Sequence, residues 1–217
     1  MIRLSVRPIW ILALTLCVSV APAQAHPDTS GTNAADGPDA VVQKLTTRVI
    51  ASIESDRSLQ RGDPAALQKL VEDQILPFVD FERTTRLALG INWRRATSEQ
   101  RARLTQEFRT LLMRTYAGAV SAAPNHKIRM LKSTAASDRD ALVRTEVLAA
   151  DREPVQLDYR LEGTDTGWKI YDLNVAGVWL VEVYRSSFAE EITRGGIDGL
   201  INVLAERNQQ ALVKSRP

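Results

Sequence analysis

The feature that most constrains this chain is a change of hydrophobic period near Pro124. Before Pro124, apolar residues recur every third or fourth position, which is the pattern of amphipathic helices. From Lys127 onward the period is two, and residues 155–162 alternate strictly between apolar and polar side chains. Such alternation predicts strands with one covered and one solvated face, which favours antiparallel pairing.

The helical part of the sequence contains clear start and stop signals. Asp63-Pro64 offers an N-cap followed by a first-turn proline, Gly90 stands in the usual C-terminal glycine position, and Thr97 and Gln100 form a capping box. We therefore expect an amphipathic helix from Asp39 to about Leu59, a second from Pro64 until Pro77 ends it, a short one from Asp80 to Leu89, and a long one from Thr97 towards Pro124.

The second half of the chain predicts a sheet followed by more helix. Strand patterns lie at 127–130, 143–149, 155–161 and 168–175, and helical spacing resumes at Leu180 with a break at Gly195-Gly196. Helices, then strands, then helices predict an α+β fold, an antiparallel sheet of about four strands with the helices on one face.

Residues 1–25 have the features of a secretory signal peptide. Arg3 and Arg7 precede an apolar run from Ile9 to Val20, and Ala23-Gln24-Ala25 is a cleavage site of the A-x-A type. Because the run is too short to span a bilayer, we expect export and cleavage after Ala25, with an uncleaved N-terminal anchor as the alternative.

Charge and cysteine content restrict the mature chain further. Residues 1–25 hold Cys17, which is the chain's one cysteine, and two of its 28 basic residues, but none of its 26 acidic residues. The mature chain is therefore formally neutral, has no disulfide, and lacks the basic excess typical of nucleic-acid binding. Residues 26–37 are small and polar and predict a disordered leader, whereas 38–217 suffice for a single domain.

Few residues predict catalysis. His26 lies near the mature terminus and His126 at the entry to a strand, so nucleophilic catalysis of the Ser-His-Asp type would depend on His126 alone. The carboxylate pairs Glu190-Glu191 and Asp138/Asp140 resemble ordinary surface charge. No cysteine or histidine spacing predicts a metal site.

A local basic cluster and the apolar content carry more information. The cluster comprises Arg94, Arg95, Arg101 and Arg103, and it predicts either a solvated helix face or a surface that docks onto an acidic partner or near lipid head groups. Residues 143–149 supply small side chains to the sheet, which either let helices approach closely or leave apolar volume between the layers. Such volume would hold acyl chains rather than a polar substrate.

Several ordered motifs resemble the toluene-tolerance family, also called the MlaC family, over almost the whole mature chain. They lie at residues 75–81, 87–94, 108–116, 168–172, 184–188 and 196–201. The resemblance implies a fold like nuclear transport factor 2, in which a curved antiparallel sheet and helices enclose an apolar cavity. It also implies a periplasmic carrier with phospholipid as its cargo and no other cofactor. The implied partners are an outer-membrane lipoprotein–porin complex and an inner-membrane ABC transporter with an MCE-domain ring.

Under this hypothesis we expect the residues on predicted inward faces to line the lipid cavity: Phe78, Leu87, Phe108, Leu112, Tyr116, Val147, Leu157, Tyr159, Leu173, Val175 and Leu180. Many relatives carry a small polar residue where Trp179 stands, so we expect its ring to narrow the cavity or to form part of its mouth.

Two other classes of function stay open at the sequence level. One is an isomerase- or dehydratase-like enzyme on the same fold, with Asp172 as a buried base beside Tyr159 or Tyr171. The other is an adaptor without cargo that docks proteins through the arginine cluster.

Overall fold

The structure is a computed structural model that describes residues 36–121, 126–135, 137–149 and 152–214. The predicted signal peptide and most of the predicted leader lie outside these residues. The helices are α1 (Pro38–Ser55), α2 (Arg57–Gln60), α3 (Pro64–Leu70), α4 (Phe81–Leu89), α5 (Asn92–Arg95), α6 (Ser98–Ser121) and α7 (Leu180–Lys214). The strands are β1 (His126–Met130), β2 (Thr134–Ala135), β3 (Asp140–Ala149), β4 (Arg152–Thr164), β5 (Gly167–Val175) and β6 (Val178–Trp179).

The first predicted helix is interrupted near its end. Asp56 has an extended backbone (φ −119°, ψ 110°), and its side chain accepts a hydrogen bond from the backbone N–H of Ser58 at 2.7 Å. Asp56 thus ends α1 and caps α2, because aspartate offers the backbone a local alternative to helical bonding.

The second predicted helix changes its winding before Pro77. After α3 the chain forms a π-helical turn (Val71–Ile75) and then a 3-10 turn (Leu76–Phe78). Pro77 has no N–H to donate, so regular α-helical bonding does not continue through this segment. The turns bring Val79 to the edge of β5, where the Asp80 N–H donates to the Ile170 carbonyl at 2.8 Å.

The predicted start of the long helix α6 is confirmed. Thr97 Oγ1 accepts from the Gln100 N–H at 3.2 Å, and Gln100 Oε1 accepts from the Thr97 N–H at 3.0 Å, which is a reciprocal capping box. The Gln100 side chain also donates to Asp198 at 2.7 Å and so joins the start of α6 to α7.

The sheet confirms the predicted fold class. Its order is β1-β3-β4-β5-β6, with β2 also paired to β3, and each of these pairs is antiparallel. Long strands β1, β3, β4 and β5 correspond to the predicted ones, whereas β2 and β6 are two residues long. The β4–β5 register shifts at Tyr171 and the β3–β4 register shifts after Val147. Such bulges bend the bulged strand and increase its twist, as a curved sheet requires.

The buried apolar residues form two main groups. The sheet cluster joins α1 and the 3-10 turn to the apolar face of the sheet and comprises Val41, Val42, Leu45, Phe78, Val143, Tyr159, Leu161 and Ile170. The helical cluster joins α4, α6 and α7 and comprises Ala88, Leu89, Trp93, Leu104, Phe108, Phe188, Leu200 and Leu204. The extensive contacts of α6 are with α7, α4 and α3.

The predicted break in the C-terminal helix is confirmed at Gly196. Its backbone has φ 68° and ψ −169°, a conformation in which residues with a Cβ are strained, and it separates two helical segments of α7. Residues on both sides of the kink, Phe188 and Leu200, pack in the helical cluster. The kink therefore lets both segments bury apolar side chains against the same neighbours.

We predict that Gly196→Ala lowers the free energy of unfolding by about 1–3 kcal/mol, because alanine is strained at this backbone conformation. Gly195→Ala is the matched control: Gly195 lies in ordinary helix, and outside its chain neighbours and the adjacent helix backbone nothing lies within 4 Å of the position that an alanine Cβ would take there. It should be neutral or stabilising, since alanine is the better helix former. Urea denaturation measures both variants, and equal effects would contradict the assignment of strain to Gly196.

Candidate functional site: an open apolar surface and an adjoining cleft

The strand register gathers the apolar side chains of the sheet on one face. Val147 lies opposite Val155 on β4, and Leu157 lies opposite Val175 on β5. Val175 in turn lies opposite Val178 on β6, so the apolar face continues to that edge. Residues that are directly opposite in neighbouring strands share a face, so these rows form one continuous surface.

This apolar face is covered at one end and open at the other. Val143 and Leu161 are fully buried beneath α1 and the 3-10 turn, whereas Val155 is 42% exposed and Val178 is 51% exposed. We call the uncovered part the open apolar surface; its residues are half-buried or exposed, and they are Ile128, Val147, Val155, Leu157, Val175 and Val178.

An uncovered apolar surface of this kind indicates binding. Isolated exposed apolar residues are common in proteins, but a contiguous group marks a site for a ligand, a membrane or a partner. Val155 and Val178 are two of the four large apolar side chains that stand out as exposed in the described part of the chain. Covering the surface would stabilise a complex by about 25 cal/mol for each Å² of apolar area removed from water.

The helical side of the molecule is closed around an aromatic group. The ring centroid of Phe108 lies 4.7 Å from that of Tyr184 and 4.9 Å from that of Phe188, and both pairs pack edge to face. Leu112 packs at the margin of this helical cluster. Burial raises the pKa of the half-buried Tyr116 and Tyr184 hydroxyls.

A cleft lies between this helical side and the segment that leads into α4. It has a volume of about 420 Å³, which is within the range of small-molecule sites. Its lining combines the segment around the 3-10 turn with one face of α6: Leu76, Val79, Phe81, Ala102, Thr105, Gln106 and Arg109. Val79 also packs against the sheet cluster, so the cleft adjoins the apolar face of the sheet.

The amino-acid sequence also matches a known protein family. Residues 43–206 match the family model described as MlaC protein. The chain belongs to the MlaC family. This confirms the resemblance that the sequence motifs indicated.

Relatives extend this assignment. The chain is 26% identical over 180 residues to the intermembrane phospholipid transport system binding protein MlaC of Haemophilus influenzae, covering 81% of this chain and 84% of the relative. It is 26% identical over 187 residues to the toluene tolerance protein ttg2D of Pseudomonas putida, covering 83% and 87%. A solved structure of a phospholipid-binding protein from Ralstonia solanacearum, in complex with a phospholipid, is 40% identical, with a TM-score of 0.77. The match covers 83% of this chain and 99% of that one.

The predicted cavity residues of this MlaC-family chain fall into separate places. Val147, Leu157 and Val175 lie on the open apolar surface. Others lie in or beside the sheet cluster, namely Phe78, Tyr159 and Leu173, and others in or beside the helical cluster, namely Phe108 and Leu112. Tyr116, Leu87 and Leu180 are half-buried on helices. The lipid-lining role of the whole set stays a prediction.

Trp179 does not lie where the sequence led us to expect it. It is paired with Asn174, which places it on the polar face of the sheet, and its ring stacks on the guanidinium of Arg160 at 3.8 Å. The expectation that its ring narrows or borders the apolar cavity is therefore wrong. One residue of register decides the face, and sequence alone does not give the register of a two-residue strand.

The arginine cluster separates into two pairs. Arg101 donates to the Trp93 carbonyl at 3.0 Å and lies over the Trp93 ring, and Arg103 forms an ion pair with Glu107 at 2.9 Å. Arg94 and Arg95 are exposed at the corner formed by α5. Only this second pair presents guanidinium groups that no neighbour in the described part of the chain engages.

Residues of the alternative enzymatic hypothesis do not converge. Tyr159 is buried on the apolar face, whereas Asp172 lies on the polar face. Tyr171 instead donates to Asp140 at 3.4 Å and lies against the guanidinium of Arg83 at 3.9 Å. The arrangement places no tyrosine beside the Asp172 carboxylate to form the proposed acid–base pair.

Asp172 has a structural task instead. Its Oδ1 accepts from the Val181 N–H at 3.1 Å and from the Leu173 N–H at 2.9 Å, and its Oδ2 accepts from Arg160 at 3.1 Å. It thereby satisfies a free N–H in the first turn of α7. Burial nevertheless raises the pKa of this carboxyl above its ordinary value, although the three donors oppose that shift.

Two further findings concern the described residues as a whole. They contain no group of three or more His, Cys, Asp or Glu side chains that is placed to hold a metal ion. Among them, no helix is both long enough and apolar enough to cross a membrane.

Sequence reasoning missed several residues of the site. Val178 lies on a strand of two residues, which is too short to show alternation. Arg109 and Thr105 were not singled out because their significance depends on the opposing segment around the 3-10 turn. Helical spacing at 102, 105, 106 and 109 was the available signal.

We predict that Asp172 makes the free energy of unfolding fall as pH rises through the acidic range. Its pKa in the folded protein lies above the ordinary 3.8, so the folded state binds more protons than the unfolded chain between those two values. Asp172→Asn retains an acceptor for the two N–H groups but cannot ionise, so its stability relative to the wild type should increase with pH. Urea denaturation from about pH 4 to pH 7 measures this difference.

Asp165→Asn is the control for this experiment, because Asp165 is exposed in the turn between β4 and β5. A wild type and an Asp172→Asn variant with parallel stability profiles would contradict the prediction.

Proposed function

We propose that the protein is a periplasmic phospholipid carrier that holds acyl chains against its open apolar surface. The observation that most supports this proposal is the half-covered apolar face of the sheet. The 40% identical structure from Ralstonia solanacearum, which is in complex with a phospholipid, supports it as well. The names of the curated relatives support phospholipid transport and solvent tolerance as the biological setting.

The physical task of such a carrier explains why the surface is large and apolar. A phospholipid with two chains exposes about thirty methylene groups in water, each worth roughly 0.8 kcal/mol, so free transfer costs on the order of 24 kcal/mol. A carrier must offset most of this cost. It must also release the lipid, and the ordering of both partners on binding keeps the net affinity well below the gross figure.

We further propose that the carrier moves lipid between two membrane complexes and so maintains the lipid asymmetry of the outer membrane. The partners are an outer-membrane lipoprotein–porin complex and an inner-membrane ABC transporter with an MCE-domain ring. The predicted signal peptide at residues 1–25 and the word "intermembrane" in the name of the Haemophilus relative support this route. Formal neutrality of the mature chain favours protein and lipid partners over nucleic acid.

The docking surface in this proposal is the corner formed by Arg94, Arg95 and Ile91. Both arginines are exposed, and Ile91 presents an apolar side chain between Gly90 and α5. An exposed apolar residue beside two cations fits an acidic protein surface with an apolar centre. Arg101 and Arg103, which have partners within the chain, would support this corner rather than contact the partner complex.

We predict that the mature protein, purified from the cells that produce it, carries phospholipid in stoichiometric amount. Val155→Asp should lower the retained lipid at least about tenfold, because a carboxylate on the open apolar surface would have to be desolvated against acyl chains. Organic extraction followed by quantitative mass spectrometry measures the lipid content of both proteins.

Val183→Asp is the matched control, since it places the same side chain at an exposed apolar position on α7, outside the open apolar surface. It should retain lipid at the wild-type level. A wild type purified without lipid would count against the carrier, and full retention by Val155→Asp would count against the proposed surface.

We predict that the double reversal Arg94→Glu/Arg95→Glu keeps the bound lipid but slows transfer to membranes that contain a partner complex by about tenfold, because charge complementarity governs encounter rates. Fluorescent-lipid transfer to proteoliposomes measures the rate, which should also depend less on salt in the variant. Arg57→Glu/Arg61→Glu, on α2 and at its C-cap, has the same change of net charge at exposed positions and serves as control. Equal slowing in both double variants would refute a specific docking corner.

A further inference from the structure

The cleft between the 3-10 turn and α6 has two chemically different walls. Leu76, Val79 and Phe81 form an apolar wall on one side. Thr105, Gln106 and Arg109, which are on α6 at helical spacing, form a polar wall on the other. Such a cleft suits the junction of an amphiphilic ligand, where the apolar chains would contact the apolar wall and the polar group would contact the polar wall.

The charge on the polar wall has no counter-ion within the described structure. Arg109 is half-buried, and it is the one charged residue among the seven described residues that line the cleft. Arg103 on the same helix is different, because its guanidinium lies 2.9 Å from the Glu107 carboxylate. Partial burial of an unpaired guanidinium is unfavourable, and an anionic ligand would compensate it with charge-assisted hydrogen bonds.

A second unpaired group lies beside it. Thr105 Oγ1 is buried and has no hydrogen-bond partner in the described part of the chain. Thr110 and Thr115 on the same helix donate to backbone carbonyls one turn back, at 3.0 Å to Gln106 and 2.8 Å to Leu111. A buried hydroxyl without a partner is costly, so Thr105 indicates a polar ligand atom at this position.

We propose that this cleft binds the anionic phosphodiester of the carried lipid. The Arg109 guanidinium donates to the phosphate oxygens, Thr105 and Gln106 supply further hydrogen-bond donors, and the first methylenes of the acyl chains lie on the apolar wall. Val79 borders both the cleft and the sheet cluster, so the cleft adjoins the covered end of the apolar face. This inference rests on the proposed carrier function and adds to it a point of attachment for the polar end of the lipid.

A phosphate subsite has a clear consequence for selectivity. Every glycerophospholipid carries the phosphodiester, so Arg109 would favour phospholipids over neutral lipids with the same chains without selecting among head groups. A planar guanidinium suits a phosphate because two of its N–H groups can donate to two oxygens at once. Lysine keeps the charge but not this geometry.

The experiment compares two lipids that differ only in the phosphate-containing head group. An uncharged fluorescent hydrocarbon probe bound to the mature protein is displaced by a phospholipid or by the diacylglycerol with the same chains. Arg109→Gln should weaken displacement by the phospholipid about tenfold or more, and it should leave displacement by diacylglycerol unchanged. Arg109→Lys should lie between the two, and Arg57→Gln, at an exposed position on α2, should behave as wild type.

Each other outcome overturns the proposal in a recognisable way. Unchanged phospholipid displacement in Arg109→Gln excludes the subsite, and an equal loss for both lipids shows that Arg109 supports the fold rather than the phosphate. Inorganic phosphate is the third competitor: if it weakens phospholipid binding at micromolar concentration, the cleft is a free-phosphate site. A wild-type protein that binds neither lipid refutes the carrier function itself.

Discussion

The structure depends on a mismatch in extent: the apolar face of the sheet is longer than the helical segments that cover it. α1 and the 3-10 turn bury the end of this face that contains Val143 and Leu161. At the other end Val155 and Val178 remain exposed to water. The covered end contributes the burial that stabilises the fold, and the open end keeps apolar area available for a ligand. A sheet covered completely would be more stable in isolation but would have nothing to offer an acyl chain.

The division of the core into a sheet cluster and a helical cluster makes this mismatch tolerable. α4 connects the two: Thr84 donates to the Tyr171 carbonyl at 2.8 Å, and Arg83 forms ion pairs with Asp140 and Glu162. On the helical side, Leu89 of α4 packs with Phe108. Each cluster thus buries its own apolar residues and is held to the other by directional polar contacts. Apart from Leu157, which packs against the sheet cluster, the residues of the open apolar surface are not members of either cluster.

Sequence predicted the elements of this fold far better than the site. Local signals were enough for the capping box at Thr97 and the break at Gly196, because both depend on neighbours within one turn. Alternation placed Val147 and Leu157 on a common face, but it gave no information on which end of that face is covered. Phe78 and Phe108 both fall on predicted inward faces, yet they lie in different clusters. That separation, like the position of Trp179, follows from long-range pairing that a hydrophobic period does not encode.

The polar face of the sheet supports the apolar face from behind. A surface that accepts and releases a ligand needs such a rigid support. Asp172 holds the first turn of α7 through the Val181 N–H, and Arg160 bridges this carboxylate to the Trp179 ring. These contacts are buried or half-buried and directional, so they fix β5, β6 and α7 relative to one another. On the opposite face, contacts with a lipid would be apolar and without preferred direction, which allows chains to slide in and out. Rigid hydrogen bonds on one face and non-directional burial on the other reconcile a stable fold with reversible binding.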